Sequence, residues 1–245
     1  MIYFHLVVYS TIFASFLHVV GMNVPLRNSF ILRVSSQCDF CGKKLEVGQM
    51  IPILSFILQG GKSACCHKPM NKTYIAVELM SPFFVCLLYA LYGFTAPFYL
   101  YITIYSLLLI LFVSDVLYLC IPDGILLSYF VIFAILYLYQ NPSTFLSHLY
   151  QLIIGLFLFL LLYLIVRNGF GFGDIKLLIL LCFLLSFKEV VLVFIIAVFS
   201  GLLVITLVSL FNRKFRTQKI PFVPFILIGF IFNVCTGDLF WNLIL

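Results

Sequence analysis

The chain has 245 residues, of which 64% are hydrophobic and only 9% charged. A soluble domain carries about 25% charged residues, so the composition excludes an ordinary soluble fold. The net charge of +6 does not point to nucleic acid, because the basic residues sit in short loops between apolar runs, where they set topology.

At about 20 apolar residues per spanning helix, the chain reads as an all-α polytopic membrane protein with about eight transmembrane helices and one loop domain. Residues 1–24 hold the first span. Its apolar core, 3–20, has no basic segment before it and no small-x-small cleavage site after it, so it reads as retained rather than as a leader. Residues 25–73 are the only long polar segment and form the loop domain. Residues 74–245 are expected to form a seven-helix membrane core, with apolar runs at about 74–92, 97–117, 122–140, 148–166, 175–187, 189–211 and 221–244. Pro97, Pro122, Asn141-Pro142 and Pro221 mark breaks between runs. The 175–187 run is short for a span.

The loop 25–73 carries Arg27, Arg33, Lys43, Lys44, Lys62, Lys68 and Lys72 against Asp39 and Glu46. This excess places the loop in the cytoplasm and the N-terminus outside. Alternating eight spans then puts Arg167, Lys176, Arg213, Lys214, Arg216 and Lys219 inside too, and leaves only Lys188 outside.

The same alternation puts Asp115, Asp123 and Asp174 at one depth, near the cytoplasmic face. Acids at membrane depth are costly and are candidate functional groups by default. Asp115 ends the third apolar run. Asp174 opens the sixth, inside Gly169-Phe170-Gly171-Phe172-Gly173-Asp174-Ile175-Lys176. Two carboxyls brought close share a proton, so one can act as base on a water while the other donates to a carbonyl. The reading is an intramembrane aspartyl protease built on Asp115 and Asp174, with no cofactor needed for proteolysis. Gly171 and Gly173 would support it by allowing close backbone approach or positive φ. The structural alternatives are an N-cap for Asp174 and an interfacial helix end for Asp115. Asp123, after Pro122, reads first as an ordinary helix start, with a supporting role in the site as the other reading. Lys176, two residues past Asp174, would not face it on a helix, and lipid phosphate or a loop carbonyl is its expected partner. Glu78 either pairs with a loop lysine or faces the cavity. His5 and His18 read as packing residues, and His148 as an outer-loop residue.

Of eight cysteines, Cys86, Cys120, Cys182 and Cys235 lie singly in or beside apolar runs and read as packing residues. The others cluster in the polar loop. Cys38-Asp39-Phe40-Cys41 has the CxxC spacing that suits zinc. The matching second pair is irregular, Ser63-Ala64-Cys65-Cys66-His67, with a serine where a CxxC would begin. Two readings stay open: zinc held by Cys38, Cys41, Cys66 and either Cys65 or His67, or a metal-free loop.

These residues together resemble the type IV prepilin leader peptidases, bacterial GxGD intramembrane aspartyl proteases of the pilin-processing and competence type. Ala14-Ser15-Phe16-Leu17-His18-Val19-Val20 followed by Pro25 is similar to the family's GSFLNVV…P opening, with Ala14 for glycine and His18 for asparagine. Cys38 to Cys41, Ile51-Pro52-Ile53-Leu54-Ser55-Phe56, Gly60-Gly61-Lys62 and Tyr74 to Glu78 resemble its cysteine-loop domain. Asp115 with Ile121-Pro122-Asp123, and Gly171 to Lys176, resemble its two catalytic motifs.

The resemblance implies a peptidase of the bacterial cytoplasmic membrane whose site faces the cytoplasm. Its substrates would be prepilins or pseudopilins with a short basic leader, cut after a glycine just before a hydrophobic helix. By motif, Asp115 and Asp174 carry over as the catalytic pair and Asp123 as a motif residue. Many members also methylate the new N-terminus from S-adenosylmethionine, so a bifunctional enzyme is the alternative. A transporter or channel is the remote one, disfavoured because no internal repeat appears and the acids gather at one face. The bilayer is the other partner, nucleic acid is not expected, and the oligomeric state stays open.

Overall fold

The computed structural model describes residues 1–25, 38, 40–44, 48, 51–166, 169–211 and 220–244, with the backbone alone for residues 211 and 237–244. Arg27, Arg33, Asp39, Glu46, Arg167, Asn168, Arg213, Lys214, Arg216 and Lys219 lie outside the described residues.

The fold is all-helical, as the composition requires: in lipid, a backbone that satisfies its own hydrogen bonds is the economical way to span. The helices run α1 (Ile2–Asn23), α2 (Leu54–Leu58), α3 (Lys72–Tyr92), α4 (Ala96–Tyr118), α5 (Asp123–Gln140), α6 (Pro142–Ile165), α7 (Phe172–Leu184), α8 (Phe187–Phe211) and α9 (Val223–Ile244). The eight apolar runs thus appear as eight helices, and α2 is a short addition within the polar loop. Among the described residues, α1, α3, α4, α5, α6 and α8 are long and apolar enough to cross a membrane. In α9 the apolar described stretch is Val223–Thr236. With 13 residues, α7 rises about 20 Å, less than the ~30 Å hydrocarbon core.

Residues Met1–Val113 and Ser114–Leu245 form two compact units. In the first, α1 packs along α3. His18, fully buried, lies 3.8 Å from the Tyr74 ring, centroid to centroid, and its Nε2 is 2.9 Å from the Thr73 hydroxyl. Asn71 caps α3 through the Thr73 N–H. The short α2 is tied down by Glu78, whose Oε2 accepts the Ile53 N–H at 2.7 Å. Ile53 sits at φ 62°, ψ −54°, inside a three-residue turn closed by Leu54 N–H to the Pro52 carbonyl at 2.6 Å. Among the described residues, Glu78 therefore pairs with a backbone N–H and not with a loop lysine. It is buried, and it holds a strained backbone turn in place.

The second unit is built around α7. Ile175, Leu177, Leu178 and Leu180 to Leu184 are all buried, which explains why this short helix is apolar on every side. It packs against α5, α6 and α8, and α8 packs along α9. Small residues allow the close approaches expected of membrane helices. A Cβ at Gly155 of α6 would stand 2.6 Å from the Cys182 sulfur of α7, and one at Gly229 of α9 would collide with the Val193 carbonyl of α8. His148 is not an outer-loop residue. It lies within α6, stacked on Tyr137 at 3.9 Å, and the Tyr137 hydroxyl donates to the Leu184 carbonyl at 3.1 Å. Hydropathy missed this because the run 148–166 begins one and a half turns inside the true helix.

Candidate active site

Asp115 and Asp174 belong to the same unit. Asp115 lies in the last turn of α4, and it is buried, at 6% exposure. A carboxylate so placed needs partners. It finds them at the amino end of α9: the Val223 N–H donates to Oδ2 at 2.9 Å, and the Phe222 N–H is a second backbone donor to the carboxylate. Free N–H groups at a helix start, with the helix dipole, suit a negative charge. Asp115 is thus a buried helix-end acid that anchors the start of α9. The signal that could have revealed this is Pro221-Phe222-Val223-Pro224, where proline marks a helix start.

After α4 the chain reverses sharply. Leu119 takes φ +52°, its N–H returning to the Asp115 carbonyl at 2.9 Å, the helix-ending geometry usually given to glycine. The Ser114 hydroxyl donates to the Cys120 carbonyl. This turn delivers Ile121-Pro122-Asp123 to the start of α5.

Asp174 is the third residue of α7, and its Oδ2 accepts the Gly171 N–H at 3.1 Å. The cap position is therefore Gly171, and Asp174 reaches back to it from within the first turn, as the acid of a capping box does. The glycines are explained by space and not by positive φ: Gly171 has an ordinary φ of −68°. A Cβ there would stand 2.8 Å from the Asp174 Oδ2, and a Cβ on Gly173 would stand 3.0 Å from the Cβ of Ile121. Gly171 makes room for the carboxylate, and Gly173 makes room for the turn that follows Asp115.

The two carboxyls are electrostatic neighbours, with the charge on Asp115 acting on Asp174. Aromatic packing ties the segment that leads into Asp174 to the start of α9, which Asp115 holds. Phe170, just before α7, meets Phe222, just before α9, with ring centroids 5.3 Å apart, and meets Phe194 of α8 at 5.7 Å. None of these three phenylalanines was singled out from the sequence.

Asp123 and Lys176 form an ion pair, with Nζ 2.8 and 2.9 Å from the two carboxylate oxygens. Lys176 is thus paired with a carboxylate that its own sequence neighbourhood does not contain, because the first turns of α5 and α7 lie side by side. Its ammonium also lies 4.9 Å from the Phe172 ring centroid. The pair stands at the mouth of an apolar groove of about 420 Å³, lined by Leu126, Leu127, Phe130 and Ile179 among others.

In the first unit, the sulfurs of Cys38, Cys41, Cys65 and Cys66 all lie within 4.8 Å of one another. Cys38 and Cys66 are 3.8 Å apart and Cys41 and Cys65 3.2 Å. Four thiolates at the Zn–S distance of about 2.3 Å in a tetrahedron would be about 3.8 Å apart, so this cluster could hold a metal. His67 is outside it. Adjacent cysteines looked unsuited to one site, but the turn at 63–68 aims both inward. Burial pushes the Cys38 thiol up, yet hydrogen bonds from Ser63, the Phe40 and Cys41 backbone and Cys65 outweigh it and bring it down to about 6. Cys41 is raised to about 11: its backbone bond to Lys43 lowers it, but the hydrogen bond with Cys65, slight burial and the neighbouring Cys38 prevail. A metal ion at such a cluster would favour the deprotonated thiols.

Two family descriptions match the chain: the bacterial peptidase A24 N-terminal domain over residues 8–92, and the type IV leader peptidase family over residues 102–206. A prepilin leader peptidase/N-methyltransferase of Bacillus subtilis is 31% identical over 236 residues, covering 95% of this chain and 94% of that one. The chain belongs to the type IV leader peptidase family. Two further members bearing the same description are similar. That of Pectobacterium carotovorum is 31% identical over 81% of this chain and 73% of its own. That of Vibrio cholerae is 29% identical over 72% and 76%. No solved structure matches. Leader peptidase family membership, with six helices among the described residues that are long and apolar enough to cross a membrane, makes this a bacterial multi-pass membrane protein.

Proposed function

We propose that the protein is a membrane aspartyl endopeptidase that removes the short leader of prepilin-like proteins after a glycine, with Asp115 and Asp174 as its catalytic pair. One arrangement carries the reading: two carboxyls, from α4 and α7, stand at helix ends brought together by the Phe170–Phe222 contact and by the close approach of Gly173 to Ile121, and each is supported by backbone N–H groups. The pair shares one proton. The ionised member takes a proton from water, and the resulting hydroxide equivalent attacks the scissile carbonyl carbon. The protonated member hydrogen-bonds the carbonyl oxygen as it gains charge. Collapse of the tetrahedral intermediate breaks the C–N bond, and the amine leaves with a proton from the pair. Asp123 and Lys176 are supporting residues that hold the starts of α5 and α7 together. Prepilins or pseudopilins are the substrates. The site faces the cytoplasm and the N-terminus lies outside, a topology supported by the basic residues of the polar loop.

Cleavage of a co-expressed prepilin-like substrate, read as a gel shift, tests the reading. Wild type cuts, and Asp115→Asn and Asp174→Asn do not, at equal expression. Cleavage by either variant would overturn the pair.

A second activity, methylation of the new N-terminus with S-adenosylmethionine as co-substrate, is favoured by the similarity over nearly the full length to a Bacillus subtilis relative described as both leader peptidase and N-methyltransferase. Mass spectrometry of the mature substrate decides it, since one added methyl mass is the expected result.

Zinc is the metal proposed for the cysteine cluster. Cys38, Cys41, Cys65 and Cys66 would hold it, and its chemistry there would be structural, clamping two loop segments.

A further inference from the structure

Two short turns carry the four cysteines, and their backbones follow one pattern. In the first, the Cys38 N–H donates to the Lys43 carbonyl at 2.9 Å, and the Gly42 N–H returns to the Cys38 carbonyl at 2.9 Å. In the second, the Ser63 N–H donates to the Lys68 carbonyl at 2.8 Å, and the His67 N–H returns to the Ser63 carbonyl at 2.8 Å. The fifth residue of each turn has positive φ: Gly42 at +70° and His67 at +54°. The correspondence is therefore residue by residue. Cys38 matches Ser63, Cys41 matches Cys66, Gly42 matches His67 and Lys43 matches Lys68. His67 occupies the turn-closing position, which accounts for its absence from the cluster. The third position differs in kind. In the first turn it is Phe40, which is 48% exposed. In the second it is Cys65, whose sulfur lies 3.2 Å from that of Cys41.

We infer that the second turn binds the metal in a shifted register, with Cys65 supplying the thiolate that the position of Ser63 would otherwise supply, and Ser63 serving as a hydrogen-bond donor to the bound sulfurs. This rests on the metal reading above. Ser63 is buried, at 6% exposure, and its hydroxyl lies 3.2 Å from the Cys38 sulfur, 3.1 Å from Cys65 and 3.5 Å from Cys66. A neutral hydroxyl does not belong to the usual zinc donor set of thiolate, imidazole and carboxylate. A hydroxyl surrounded by thiolates has one proton to give, and donation to a ligand is the role expected of groups just outside a metal's own ligands. The serine thus reads as a relocated ligand position converted to an orienting one, not as a lost site.

The test uses full-length protein in detergent, with metal content measured after zinc loading and thiolate count read from the charge-transfer and d–d spectrum of the cobalt(II)-substituted form. Wild type should bind one metal per chain with a four-thiolate spectrum. Cys65→Ser should lose a thiolate from the spectrum and weaken zinc by on the order of tenfold or more. The double variant Ser63→Cys with Cys65→Ser moves the thiol to the regular position, and it should restore both the spectrum and the affinity. That recovery also shows that the single variant did not simply misfold. His67→Ala should change neither. An unaltered spectrum and affinity in Cys65→Ser, or no recovery in the double variant, overturns the shifted register while the metal reading stands. Wild type without stoichiometric metal overturns both.

Discussion

The Asp115 carboxylate accepts the Val223 N–H at 2.9 Å across 108 positions of sequence. The residue proposed as half of the catalytic pair also anchors the start of α9. Chemistry and architecture can therefore be separated by the choice of substitution.

Asp115→Asn keeps an oxygen to accept the Val223 N–H but cannot ionise. It should abolish leader cleavage with little change in thermal unfolding in detergent. Asp115→Ala leaves buried N–H groups without a partner and should cost a further 1–3 kcal/mol or so. Equal stability of the two variants would argue against the anchoring role.

Gly171→Ala should slow cleavage by about 100-fold, the effect of displacing a reacting group by roughly 1 Å. The added Cβ would lie 2.8 Å from the Asp174 Oδ2, so the carboxylate must move. Gly173→Ala meets the Cβ of Ile121 at 3.0 Å, a smaller overlap relieved by a shift of a few tenths of an ångström in the turn after α4 and not by moving a carboxylate, and should slow cleavage less. Substrate cleavage rates at matched expression rank the two, and the reverse order would contradict the placement of Asp174.

The Lys176–Asp123 pair is solvent-exposed, with side-chain exposures of 37% and 71%. Such pairs contribute under about 1 kcal/mol. Asp123→Asn and Lys176→Met should each leave unfolding nearly unchanged, and a double-mutant cycle on stability should give a coupling within that limit. If these variants lose most cleavage while remaining as stable as wild type, the pair supports the site and not merely the fold. If cleavage is unaffected, it has no part in the reaction.

In the first unit, Glu78→Gln should be nearly neutral, since the amide oxygen still accepts the Ile53 N–H. Glu78→Ala should destabilise by about 1–3 kcal/mol through that unpaired group. Ile53→Gly should act in the opposite direction. A β-branched residue at φ 62° costs about 1–3 kcal/mol, and glycine removes that cost while adding some unfolded-state entropy. A net gain of about 1 kcal/mol, seen as a higher melting temperature, is expected.

The all-helical membrane character, the breaks between helices and the polar cysteine loop are legible along the chain. Each depends on hydropathy and helix-breaking residues, which act over a few neighbouring positions. The sequence also marked Asp115, Asp123, Asp174 and the four clustered cysteines, because acids beside long apolar runs and thiols in a polar loop stand out locally. What these residues touch depends on how the helices pack. The Asp123–Lys176 pair joins positions 53 apart, and the Asp115–Val223 bond spans twice that. Both follow from which helix ends pack together, and side-chain and backbone polar groups then pair to avoid burial without a partner. The second cysteine turn shows the same division. Its spelling looked defective as a one-dimensional spacing, yet a common hydrogen-bonded turn brings Cys65 and Cys66 to one point and sets Ser63 beside them, since ligand geometry is a property of folded backbone and not of interval along the chain.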